Sequence, residues 1–429
     1  MNRSRVVLSV ALVAGAVAAT TFTLTRDLRR GDWRSAATRT SPSAMSATAE
    51  IDTETAGFTN TNAFSELGLR DEQIRVWKQA LAADSVSALA MGQLAALHAQ
   101  RAREGGSDED YLQAERYARQ SLAIRTQRNG KTAVTLVSVL LAQHRFVEAQ
   151  QVARALVNRE GDIPQYRSLL GEVSMELGDY QTAALMFDSV WTERAHLSNA
   201  PRLARWLELN NHIREARRIL VDARNEAVSR RDVTKETQAW FELRLGEFEL
   251  RAGRPRNAKA AFRAGLAIEP NDYRLMAAMA RLAMENNEHR EAIEWGERAI
   301  ATQLDPGTLG LVGDAYAALG DTAKSNEYFR TLEVAVTAQP GPFHRAWSLY
   351  LLDHNLRVAE VLVKAQEELV QRKDIYGYDL VAWALFKAGR TADAAAMMRQ
   401  AMQLNTPDPL LVRHHAAIMQ SLPTVTAAR

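Results

Sequence analysis

Apolar residues along this chain fall into paired helical stripes that return at a near-constant interval. Gly246-Glu-Phe-Glu-Leu-Arg-Ala-Gly253 is followed by Ala258-Lys-Ala-Ala-Phe262 and by Ile268-Glu-Pro270. Gly171-Glu-Val-Ser-Met-Glu-Leu-Gly178 is followed by Ala183-Ala-Leu-Met-Phe187 with the same spacing: seven residues from Gly to Gly, five to Ala, four to Phe. Alanine comes back about every 34 residues, one turn before a large apolar residue. Such a period predicts a two-helix unit repeated in tandem. Each helix pair has one apolar face and cannot bury it alone. Stacking on the next pair buries it, so stability is roughly a sum over neighbours.

The register can be written out. Units begin near Glu54, Ala88, Gly130, Pro164, Leu197, Ala239, Tyr273, Pro306, Pro340 and Ile375. The residue twentieth in each unit is Gln73, Ala114, Ala149, Ala183, Ala216, Ala258, Ala292, Ser325, Ala359 and Ala394. The eighth is Ala95, Val137, Gly171, Ala204, Gly246, Ala280, Gly313 or Ala382 in eight units and Trp347 in the ninth, where a small residue is expected. Small side chains at both places let the two helices cross closely. Gly178, Gly253, Gly320 and Gly389 stand where first helices end, as a left-handed C-cap favours. Pro255 opens a second helix, and Pro164, Pro306 and Pro340 open units, where a missing N–H costs nothing.

This pattern resembles the tetratricopeptide repeat family over nearly all of residues 54–422. The resemblance implies an all-α fold, a right-handed α-solenoid of about ten helix pairs whose first helices line a concave groove. Four departures stand out. The first unit is degenerate and reads as a cap. About seven extra residues near 104–110 predict an exposed acidic loop. An insertion at 231–238 either lengthens a helix or bends the superhelix. A lone helix at 409–422, with Leu411, His415 and Met419 on one face, closes the last unit, and residues 423–429 form a tail.

The family's groove positions, 2, 5, 9, 12 and 13 of each unit, nominate candidate binding residues. The best-known peptide-binding subgroup uses Lys and Asn at positions 5 and 9 to clamp a carboxylate. Here the third unit has Val134 and Ser138 there, and the fourth has Ser168 and Glu172, so that clamp is missing. Position 9 instead reads Glu172, Arg205, Glu247, Arg281, Asp314 over successive units. Alternating signs predict either a ladder of ion pairs across the groove floor or a mixed-charge surface for a polar partner segment. Near the C-terminus the groove turns aromatic, with Tyr376, Trp383 and Phe386 beside His344, Leu351 and Leu352. These are either anchors for a partner or packing for the last helix. Trp240 and Arg251 form a second candidate.

Residues 1–25 carry Arg3 and Arg5 ahead of an uncharged run from Val6 to Thr25. The run reads as a signal peptide with Ala16-Val-Ala18 as its cleavage site, or as an uncleaved membrane anchor of about 20 residues. The basic flank Arg26-Asp-Leu-Arg-Arg30 leaves a cytoplasm-facing body open as a third placement. Residues 26–53, rich in Ser, Thr and Ala, read as a flexible tether. The expected setting is export, periplasmic in a Gram-negative bacterium, with the body free or tethered to the inner membrane.

Composition removes several function classes. The chain of 429 residues is 47% apolar, has a net charge of +2 and contains no Cys. Thiol chemistry and disulfides are excluded, and no basic excess points to nucleic acid. His289-Arg-Glu291 lacks the second His of a metalloprotease helix. The adjacent His414 and His415 diverge by about 100° on a helix and cannot share a metal. Asp108-Glu-Asp110 lacks the ligand spacing of a calcium loop. Gly307-Thr-Leu-Gly310-Leu-Val-Gly313 lacks the Lys and preceding strand of a phosphate loop. No catalytic residue, cofactor or metal is expected. The expected function is a non-enzymatic scaffold that holds a protein or peptide partner, with an accessory role in polymer or glycan handling as the alternative.

Overall fold

The computed structural model describes residues 66–105, 107–161, 163–338 and 345–422. The predicted signal or anchor segment, the tether, the first helix of the first unit, Pro340, His344 and the tail lie outside them. Among the described residues all regular structure is helical. Helix α1 (Glu66–Ala83) is the second helix of the first unit. Nine helix pairs follow: α2 (Ala88–Gly105) with α3 (Asp108–Ile124), α4 (Gly130–Ala142) with α5 (Phe146–Glu160), and α6 (Pro164–Glu176) with α7 (Tyr180–Ser189). Next come α8 (Ala200–Leu209) with α9 (Ile213–Ser229), α10 (Lys235–Arg251) with α11 (Pro255–Ile268), and α12 (Tyr273–Glu285) with α13 (His289–Thr302). The last pairs are α14 (Pro306–Ala318) with α15 (Thr322–Ala338), α16 (Arg345–Asp353) with α17 (Val358–Gln371), and α18 (Ile375–Lys387) with α19 (Thr391–Ala401). Helix α20 (Pro409–Gln420) stands alone where an eleventh unit would begin. First helices approach one another from unit to unit more closely than second helices do, so they form the inner, concave layer of the superhelix.

The small residues do what their spacing implies. A Cβ on Gly246 would come within 2.3 Å of the Phe262 ring, and Gly171 and Gly313 face Phe187 and Phe329 in the same way. Ala149, Ala183, Ala216, Ala258, Ala292 and Ala394 are fully buried at the matching place in the second helix. In the first unit the pattern fails: Gln73 is exposed and Ile74 takes the buried position. Helices α6, α11 and α14 begin at Pro164, Pro255 and Pro306.

A left-handed residue, present at the end of every first helix from α4 onward, corrects the register of the ninth unit. It lies seven residues after the crossing residue throughout: Gly178 after Gly171, Asn211 after Ala204, Asn287 after Ala280. In the ninth unit it is Asn355, so the crossing residue is Ser348, 1% exposed, and not Trp347. A second left-handed residue, Arg357, lengthens that turn. Consequently Ala359 is exposed and Val361 is buried in its place.

Both insertions extend helices. The acidic loop expected at 104–110 is largely absorbed: α2 runs to Gly105 and α3 starts at Asp108 behind a Ser107 cap. Asp110 is buried, accepting hydrogen bonds from Arg101 Nε at 2.8 Å and Nη2 at 2.6 Å and facing His98 Nδ1 at 2.7 Å. The 231–238 insertion adds turns to α9 and α10. At this step α8 and α10 approach least closely, and ion pairs tie the units instead: Arg224 to Glu242 at 3.2 Å, Arg217 to Glu249 at 2.6 Å. On α20 the buried face is Leu411, His414 and Ile418, one position round from the face expected from the sequence.

A concave groove shared between open and self-occupied stretches

The superhelix closes on itself. Residues just before α18 and before α20 reach back some six units and dock where α6 ends, α7 begins and α8 ends. Lys373 N donates to Leu177 O at 3.0 Å, and Ile375 N donates to Tyr180 Oη at 2.8 Å. Arg372 Nε donates to Glu176 O at 3.2 Å. Thr406 Oγ1 donates to Leu209 O at 2.6 Å in a buried contact. Gly178 permits the close approach. Its φ is +77°, and a Cβ there would lie 2.2 Å from Lys373 O.

The centre of this clasp gathers three of the predicted groove residues. Arg205 Nη2 donates to Tyr376 Oη at 2.5 Å, and Tyr376 Oη donates to Asp408 Oδ2 at 3.1 Å. Arg205 Nη1 pairs with Glu208 at 2.9 Å, and Arg251 grips the same carboxylate with Nε at 2.6 Å and Nη2 at 3.0 Å. Glu208 is 5% exposed. Burial alone would raise its carboxyl pKa. The charges of Arg205 and Arg251, with their hydrogen bonds, overcome that and hold it at about 2. Burial pushes the Tyr376 phenol above its usual range, against the pull of Arg205. Arg345 caps the Tyr376 ring at 4.9 Å. Reasoning from repeat positions missed Glu208, Thr406 and Asp408. Glu208 sits at groove position 12, and that was the one signal available.

The alternating charges do not pair with one another as a ladder. Glu172 pairs with Arg202 at 2.5 Å, Glu247 with Arg244 at 2.8 Å, and Asp314 with His354 at 3.1 Å. Burial raises the Asp314 carboxyl pKa, with His354 opposing. Arg281 is exposed and makes no hydrogen bond or ion pair with any described residue.

The aromatic patch is packed within the fold. Trp383 stacks on His414 of α20 at 4.1 Å and on Phe386 at 5.2 Å, and its Nε1 donates to Asp353 Oδ1 at 2.9 Å. His414 Nδ1 faces Asp379 Oδ1 at 2.7 Å, and Arg345 pairs with the other oxygen at 2.6 Å. Leu351 and Leu352 belong to the core. Trp240 is half-buried, edge-on to Phe241 at 5.1 Å.

Two cavities differ in kind. One of about 590 Å³ lies between superhelical turns, where Phe146 and Arg145 face Lys364 and Arg372. The other, about 170 Å³, lies in the groove between α12, α14 and α16, lined among others by Arg281, Leu311, Trp347 and Tyr350. Among the described residues no cluster of His, Asp and Glu has the makings of a metal site, and no helix is long and apolar enough to cross a membrane.

Helix pairs with small crossing residues, stacked first helix to first helix into a superhelix, define a repeat solenoid. Tetratricopeptide repeat family models match residues 134–193 and 249–306, so the chain carries tetratricopeptide repeats. No curated protein sequence matches the chain. Among solved structures it is similar to TTC0263, a thermophilic TPR protein of Thermus thermophilus, at 20% identity over 42% of this chain and 99% of that one, with a TM-score of 0.34. It is also similar to the Cut9–Hcn1 APC/C hetero-tetramer, at 13% identity over 82% of this chain and 74% of that one, TM-score 0.42. The human IFIT1 dimer with PPP-AAAA shares 13% identity over 80% of this chain and 95% of that one, TM-score 0.43. These are likenesses of fold.

Proposed function

We propose that the chain is a non-enzymatic scaffold that holds a segment of a partner protein on the concave face of α12, α14 and α16. In this reading residues 1–25 export it or tether it to a membrane, and it supports the assembly of an envelope or membrane complex. One observation carries the reading. The C-terminal unit docks on α6 to α8 and engages the groove residue Arg205, whereas the concave face at α12 to α16 keeps a cavity of about 170 Å³ with Arg281, unpaired among the described residues, at its wall. Concave pockets with a few polar groups are where binding concentrates. A polymer or glycan role would draw on the stacking face of Trp383, and His414 covers that face.

The test is a photo-crosslinking residue at Leu311 in the groove and, as a control, at the exposed Arg263 of α11, in cells that make the protein. A discrete protein captured at Leu311 and not at Arg263 is the expected outcome. Equal capture at both, or none, would sink the reading.

A further inference from the structure

We infer that the chain associates head to tail, with α20 of one copy packing on α1 of the next as a first helix packs on its second. This stands apart from the scaffold reading and rests on the two ends of the array. Among the described residues the array opens on a second helix without its first, α1, and closes on a first helix without its second, α20. A terminal repeat stays solvated by turning a polar face outward. These two helices turn outward the faces that complete units bury.

Helix α20 keeps the residue pattern of a first helix. Counted from Pro409, its fourth, eighth and eleventh residues are Val412, Ala416 and Met419. In the second and third units the same places hold Met91, Ala95 and His98, and Ala133, Val137 and Leu140, all buried. In α20 Val412 is 49% exposed, and Ala416 and Met419 are only partly covered. A small residue stands at the crossing place, although no second helix follows α20 among the described residues. Helix α1 keeps the pattern of a second helix. Counted from Glu54, places 23, 24 and 27 are Val76, Trp77 and Ala80. Place 27 is buried as Leu156, Val190, Ala223 and Ala299 in other units, whereas Ala80 is exposed. Val76 is 49% exposed where Ile219 and Tyr328 are buried.

The two open faces are complementary halves of one repeat. In a complete unit the eighth residue meets the twenty-third and twenty-fourth: a Cβ on Gly171 would lie 3.2 Å from Met186 Cβ and 3.1 Å from the Phe187 ring. Laid together in the same way, Ala416 of one copy meets Val76 and Trp77 of the next, with Val412 and Met419 on either side. The contact that builds each helix pair inside the chain is thereby made once more between chains, and the removal of apolar surface from water drives it. The residues just ahead of α1 suit that place less well. Gly57, Thr59, Asn60, Thr61 and Asn62 are poor helix formers, and the eighth residue of that unit is the polar Thr61. The joint is heterologous, so it leads on from copy to copy and does not close a two-fold pair.

The chain has no Cys, so introduced thiols report the contact directly. Two full-length chains with different tags, one carrying Ala416→Cys and the other Val76→Cys, are made in the same cells and oxidised with copper phenanthroline. The Cβ approach at this pair of places in a complete unit is within reach of a disulfide. The expected result is a mixed disulfide of the two chains, at least tenfold more abundant than either like-with-like product. Adding Val412→Asp to the Ala416→Cys chain should lower its yield at least tenfold. Val412 is exposed, so that variant folds as the parent does, which an unchanged urea midpoint verifies. Absence of the mixed disulfide, like-with-like products in equal yield, or a yield indifferent to Val412→Asp would overturn the inference. The first of these is also the result expected if residues ahead of α1 cover its face within the same chain.

Discussion

The concave faces at α6 to α10 and at α12 to α16 are built from the same repeat positions and treat their arginines in opposite ways. Arg205 and Arg281 both occupy position 9 of their units. Arg205 is held by Glu208 and Tyr376 in a contact between superhelical turns, whereas Arg281 stands at the wall of a cavity with no hydrogen bond or ion pair to any described residue. The repeat supplies a position, and what the rest of the superhelix brings to it decides whether it stabilises the fold or stays available. The clasp also constrains the curvature, because units about six apart can meet only if the rotations of the intervening steps add up to bring them together.

The largest effect should come from breaking the clasp at its centre. Glu208→Ala leaves Arg205 and Arg251 without their shared counter-charge in a largely desolvated place. Removing one partner from a buried charge cluster costs about 3–5 kcal/mol. Because repeat arrays need not unfold in one step, the loss should show first as accelerated amide exchange in α18 and α20, with α2 to α5 unchanged. Equal acceleration along the whole array would mean that the clasp is not a separable contact.

The same carboxylate sets a pH window. Glu208 has a folded pKa of about 2, depressed below the ordinary value of 4.5. Its contribution is therefore present in full above pH 4.5 and is lost as the pH falls through about 2. The linkage is worth about 3 kcal/mol at neutral pH. Exchange in α18 should rise between those limits in the parent and stay flat there in Glu208→Gln. A parent profile that changes only above pH 5 would contradict the assignment.

Two glycines sharpen the comparison by holding local geometry constant. Gly178 and Gly253 both end first helices, with φ of +77° and +71°. Placing Ala in the left-handed conformation costs about 1 kcal/mol in either. Around Gly253 nothing lies within 4 Å, whereas at Gly178 the Cβ would enter the Lys373 carbonyl. Gly178→Ala should therefore lower stability by about 1–2 kcal/mol more than Gly253→Ala, with the excess attributable to the clasp. Equal losses, measured by urea unfolding, would show that the turns yield without cost.

How much of this was legible in the sequence follows from which interactions are local. The helix pairs, their crossing residues and the glycine caps repeat at fixed short spacings, and they were readable from Gly171, Ala183, Gly246 and Ala258 alone. His144, Asn211, Asn287 and Asn355 fill the same left-handed place without glycine, and the ninth unit's register slipped because Asn355 was not read as a cap. The clasp had no such signature. Its contacts join residues 171 to 197 apart, and their existence depends on the sum of many small inter-unit rotations. For that reason Arg205, Arg251 and Tyr376 were each nominated from their repeat positions while the contacts that join them were not foreseen, and the aromatic patch was named without the His414 ring that covers it.

The smallest expected effect is the most discriminating. Arg205→Ala removes a hydrogen bond to Tyr376 and one of the two cations on Glu208, while Arg251 and Asp408 remain, so it should cost about 2 kcal/mol. Arg281→Ala removes a side chain with no hydrogen bond or ion pair to any described residue and should stay within about 0.5 kcal/mol of the parent. Urea midpoints of the two variants, read with an unchanged slope, test whether position 9 is divided between a structural and an available arginine. A loss at Arg281 as large as that at Arg205 would mean that the groove at α12 to α16 is held by contacts of its own and is not kept open.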